Sequence, residues 1–92
     1  MMETDDLTKW VLTVDRRLLV MRTIHEHGLI KASEIAEKTG RSLQNISRAL
    51  RELEEHELIE CLTPMKHTWK RFILTEKGVL VFEKLRKNHL ID

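Results

Sequence analysis

Leu7, Trp10, Val11 and Val14 recur at the three- and four-residue spacing of a helix face and predict a short N-terminal helix. Leu18, Met21 and Ile24 repeat the pattern in a second helix, which Thr13 or Asp15 would cap and which ends near His27 at Gly28. Its Arg16, Arg17 and Arg22 fall on the side left to water. Leu29 and Ile30 suffice only for a bridge-like strand. "KASEIAEKTG" then predicts a two-turn helix with Ile35 and Ala36 inward and Gly40 at its end. Ser42 is a good N-cap for the next helix, whose Leu43, Ile46, Leu50 and Leu53 make one apolar stripe. After it, Leu58 to Leu62 and Trp69 to Leu74 are β-type runs around Pro64, the pattern of a hairpin with its loop from Pro64 to Thr68. Thr75 caps a last helix carrying Val79, Leu80, Phe82 and Leu85.

The expected fold is mainly α with a small β-hairpin. A short helix, a turn at Gly40 and a longer capped helix form a helix–turn–helix, with Ala36 small enough for a close helix crossing. A two- or three-stranded antiparallel sheet follows as a wing. With 92 residues, no repeat and no linker, the chain fits a single domain, 1–92, with its core in 15–87.

Charge changes this picture by its placement, since the net value of +1 says almost nothing. "TGRSLQNISRALRELEEHELIE" begins basic and amide-rich and ends acidic. With the apolar stripe inward, Gln44, Asn45, Ser47, Arg48 and Arg51 take the remaining faces. Gln and Asn can bond two groups on one base edge, and Arg can fork onto guanine or a phosphate. Ser42 offers a hydroxyl and free backbone N–H groups at a helix start, which suit phosphate. A solvated polar face would explain such a helix equally well. The second basic element decides: Lys66, Lys70 and Arg71, with His67 beside them, meet no acid until Glu76.

At these residues the chain resembles the winged-helix transcription regulators of the MarR and ArsR-like kind, especially the small archaeal and bacterial repressors. "SEIAEKTGRSLQNISRALRELEEHELIE" carries the resemblance over the paired helices, and "LTEKG" carries it where a strand re-enters a helix. The resemblance implies a sequence-specific repressor of double-stranded DNA. Its helix from about 43 to 56 would enter the major groove, and the wing, 62–72, would reach the minor groove or its phosphates. In that pose Arg41, Ser42, Gln44, Asn45, Arg48, Lys66, His67, Lys70 and Arg71 are the DNA-binding candidates. Glu52 to Glu60 would face away, where acid causes little repulsion. The alternative is the same fold used as a protein-interaction module without specific DNA binding.

The chain ends suggest a homodimer. Val79, Leu80, Val81, Phe82 and Leu85 exceed one core-facing stripe, and Leu7, Trp10 and Val11 form a second apolar set. Segments 1–14 and 76–92 are therefore expected to be dimerisation helices, with Leu7, Trp10, Val11, Phe82 and Leu85 at the interface. One cysteine, Cys61, excludes an internal disulfide, suits a small core residue and fits a reducing, cytoplasmic setting. His25 and His27 lie about 200° apart on a helix and cannot chelate one ion; His89 and Asp92 could share a face, without the thiol motifs of metal-binding ArsR-like proteins. No cofactor, metal or membrane span is expected, an effector molecule is left open, and nothing resembles a catalytic constellation.

Overall fold

In the computed structural model, which describes residues 4–63 and 70–88, local signals in the sequence place almost every element. Helix α1 spans Thr4–Thr13 and α2 spans Asp15–His27. Neither Thr13 nor Asp15 caps α2: the N-cap is Val14, with no side-chain bond, and Asp15 already lies in the first turn. Gly28 closes α2 at φ 75°, its N–H donating to the Ile24 carbonyl at 2.7 Å. Strand β1, Ile30–Lys31, leads into α3, Ala32–Thr39, where the Glu34 carboxylate accepts from the Lys31 N–H. Gly40 takes the left-handed conformation (φ 71°, ψ 14°), turning the chain into α4, Leu43–Glu55. Ser42 Oγ accepts from the Asn45 N–H at 3.1 Å, the expected N-cap.

The end of α4 is a Schellman closure. Leu58 N–H donates back to the Leu53 carbonyl and Glu57 N–H to the Glu54 carbonyl, each at 3.0 Å. Glu57 stands in the left-handed position, φ 60°, which usually falls to glycine. Buried Leu53 and Leu58 supply the apolar contact that accompanies this motif.

Strands β2, Ile59–Cys61, and β3, Arg71–Leu74, pair antiparallel, and β1 adds on the other edge of β3. Cys61 and Ile30 both lie opposite Phe72, giving three strands. Leu62 N–H continues the ladder onto the Arg71 carbonyl, and Arg71 N–H donates to Thr63 Oγ1, both at 2.9 Å. Thr75 then binds the hairpin root to the start of α5, Glu76–Lys87. Its N–H donates to the Leu58 carbonyl, its hydroxyl donates to the Glu57 carbonyl, and the same oxygen accepts from the Gly78 N–H.

Ile46, Ala49, Leu50 and Leu53 of α4 are buried against Val20, Met21 and Ile24 of α2, with Ile35 of α3 closing the core. Leu43 departs from the expected stripe: it is 53% exposed. Angle explains it. Taking Leu43 as zero, Ile46, Leu53 and Ala49 fall at about −60°, −80° and −120°, so the stripe centres well to one side of it.

The chain ends also depart from expectation. Leu7, Val11, Phe82 and Leu85 are at most 2% exposed, packed where α1 lies against α5 and α2 within the same chain. Trp10 is half-buried. The expectation that these residues make an outward apolar surface is thereby corrected: one helix from each end suffices to cover the other. Leu12 and Leu80 remain exposed on the same two helices. Lys84 and Asp5 form an ion pair across them, and the Lys84 hydrogen bond holds the Asp5 carboxyl below its ordinary value.

Candidate nucleic-acid interface

Ser42 fixes where α4 starts, and therefore which side chains project beyond its first turn. On the same angular scale Ser47, Arg51, Gln44 and Arg48 fall at about 40°, 80°, 100° and 140°. All four are exposed. With Ser42 and Asn45 they line an open, shallow hollow of about 470 Å³. Two amides and hydroxyls and two guanidiniums thus converge on one outward face, next to the free N–H groups of a helix start. No ion pair among the described residues engages Arg48 or Arg51.

Asn45 stands at about 200°, the edge opposite Leu43. It is half-buried, and its Oδ1 is buried without a partner among the described residues. Arg41 precedes the helix and is exposed, but its guanidinium pairs with Asp15 at the head of α2.

Glu52, at about 180°, does not simply face away. Arg16 Nε and Nη2 fork onto its two carboxylate oxygens at 2.9 Å each, and Arg17 Nη2 adds a third bond at 3.0 Å. Burial alone would raise this carboxyl; the hydrogen bonds from Arg16 and Arg17 outweigh it and hold Glu52 below its ordinary value. Arg17 is accordingly not on the wet side. It sits over the Trp10 ring at 3.9 Å and donates to the Trp10 carbonyl. His56, just past α4, stacks on Trp10 at 3.8 Å, and its Nδ1–H donates to the Glu52 carbonyl. Helices α1, α2 and α4 are joined at this cluster, on the flank of α4 away from Leu43.

The wing contributes on the Leu43 side. A second hollow, of about 360 Å³, lies between α4, the start of α3 and β3. Lys70 lines it together with Ser47 and Arg51, so Lys70 and the exposed face of α4 share one surface. Lys31 is there too. Arg71 is half-buried within the sheet, opposite Lys31. Lys66 and His67 lie outside the described residues. Glu54 also reaches the hollow's rim, but it sits about 16 Å along the helix from Leu43.

Ser47 and Arg51 belong to this face as fully as Gln44 and Arg48, and the helical angle alone would have added them to the candidates. Lys31 gave no such signal; only the pairing of β1 with β3 brings it in. Among the described residues no three His, Cys, Asp or Glu side chains group to hold a metal ion. His25 stacks on Phe82 instead. No helix among them is long and apolar enough to cross a membrane.

The MarR family model matches residues 15–63, from the head of α2 to the end of β2 and just beyond. Comparison with curated proteins finds no match. Among solved structures, a MarR family regulator from Neisseria meningitidis superposes with a TM-score of 0.74 at 22% identity, over 91% of this chain and 62% of its own. The YusO protein from Bacillus subtilis gives 0.72 at 25% identity, over 80% of this chain and 53% of its own. FabT from Streptococcus pneumoniae, crystallised in complex with DNA, gives 0.71 at 18% identity, over 82% and 53%. At such identities the first and third of these speak to the fold alone. This chain spans little more than half the length of the solved structures it matches.

Proposed function

The chain belongs to the MarR family of winged helix–turn–helix transcription regulators, and on that premise we propose that it binds double-stranded DNA sequence-specifically, in the cytoplasm, as a repressor. Helix α4 enters the major groove by its N-terminal turns, and the segment between β2 and β3 follows the adjacent backbone. One observation carries this reading: Gln44, Ser47, Arg48 and Arg51 share an outward face that no described ion pair occupies, with Lys70 beside it.

Within that face the roles divide. Gln44 and Arg48 point from the first turns and read base edges; Asn45 is a base-edge candidate at the flank, its oxygen already buried. Ser42, Lys70 and Arg71 hold phosphates, with Lys66 and His67 as further candidates. Arg41 joins them by exchanging Asp15 for a phosphate. Residues 15–87 are the DNA-binding unit, and α1 and α5 mediate a homodimer. Since Leu7, Val11, Phe82 and Leu85 are interior, the dimer contact falls to the outer sides of these helices, where Leu12 and Leu80 are exposed.

Selection of bound duplexes from a random pool, followed by titration at several salt concentrations, tests the reading. Gln44→Ala should cost ~1–3 kcal/mol on the selected duplex and relax its base preference. Lys70→Ala should weaken selected and random duplexes alike and reduce the salt slope by about one. Salt-independent binding, or no enrichment of any sequence, would refute the proposal and leave the protein-interaction module in its place.

A further inference from the structure

Leu43 is the first residue of the helix that presents the polar face, and more than half of it is exposed. Its spacing to Ile46 and Leu50 suits burial, yet the stripe passes it by. A side chain at the first helical position also leans back over the helix start, beyond the turn its own backbone occupies. Leu43 therefore overhangs the end of α4 from which Gln44 and Arg48 project. It borders the hollow whose floor includes Leu50 and Phe72 and whose rim carries Lys31, Arg51 and Lys70.

This is an apolar group set among cations and amides. Charge complementarity indicates what meets it, because Lys31, Arg51 and Lys70 outnumber the hollow's one acid, Glu54, and favour a polyanion. Among the base edges a polyanionic duplex shows in its major groove, the thymine 5-methyl is the one apolar group; every other difference between base pairs there is a donor or an acceptor. We propose that Leu43 is a specificity-determining residue that reads a thymine through its 5-methyl group, beside the polar contacts of Gln44 and Arg48. The proposal rests on the DNA-binding reading above and extends it to one base.

Deoxyuridine differs from thymidine by that methyl alone, so it is the probe. On the duplex obtained by selection, each thymine is replaced in turn by uracil, and affinity is measured for the native protein, Leu43→Ala and Leu43→Met. For the native protein, uracil at one thymine per bound α4 should weaken binding about fourfold, the factor expected for one buried methyl-sized group. Leu43→Ala should bind thymine and uracil duplexes equally at that position, and Leu43→Met, still apolar, should keep the difference. Position 43 is exposed, so thermal unfolding should find both variants folded. Native protein indifferent to uracil everywhere, or Leu43→Ala keeping the full fourfold difference, would overturn the role of Leu43 while leaving DNA binding intact. Failure of selection to enrich any duplex would overturn both.

Discussion

Glu52 is bonded by two arginines from another helix and carries a carboxyl held below its ordinary value of 4.5. A carboxyl whose folded value is lowered contributes stability that is present above its unfolded value and lost as pH falls through the folded value. Wild type should therefore exceed Glu52→Gln in thermal stability above about pH 5, by ~1–3 kcal/mol. Melting curves across the acid range should show that gap closing below pH 4.5. A gap constant with pH would mean the carboxylate charge contributes nothing. The run of acids ending α4 did suggest a polarity along the helix, but it concealed this bond. A glutamate at the head of such a run looks like solvated surface. Only the crossing of α2 over α4 identifies its partners.

At the scale of elements, the helices and strands were legible because caps and breakers stand where geometry needs them. Ser42, Thr75, Gly28 and Gly40 all act as their positions indicate. The exceptions are instructive. Residue spacing fixes an angle around α4 but not where the core centres, so it predicts Leu43 inward and gives no sign that Ala49 is buried. Gly78 is a case spacing could not show at all. It lies in the first turns of α5 with its α-carbon against the Leu58 backbone; a Cβ there would meet the Leu58 carbonyl oxygen at 2.0 Å. Alanine is the better helix former by about 1 kcal/mol. The collision is with backbone, however, and neither α5 nor the hairpin root can yield without disturbing the Thr75 bonds. Gly78→Ala should thus destabilise by ~1–3 kcal/mol in chemical denaturation, while Glu83→Ala on the exposed side of α5 should change little.

For the whole molecule, the fold was readable almost throughout, whereas the behaviour of its two ends was not. Apolar residues in α1 and α5 exceeded one stripe, and sequence cannot say whether such an excess is covered by the same chain or by another copy. Here α1 covers α5. A dimer on their outer sides has a distinct signature in light scattering at micromolar concentration. The native chain should give twice the mass of one chain, and Leu80→Glu should lower it toward one while keeping the helical circular dichroism of a folded chain, because Leu80 lies outside the core of the single chain. A single-chain mass at all concentrations would exclude that arrangement. The wing has another standing in the molecule. Glu57 and Leu58, at its root, are already fastened to Thr75, and Leu62 is already paired with Arg71. The described residues on either side of 64–69 are thus held, and doubling the length of a closed loop costs only about 0.6 kcal/mol. Insertions, deletions and exchanges of charge can accumulate there across generations without loss of the fold. Lineages that share this scaffold can diverge in this segment first, before a single core residue has changed.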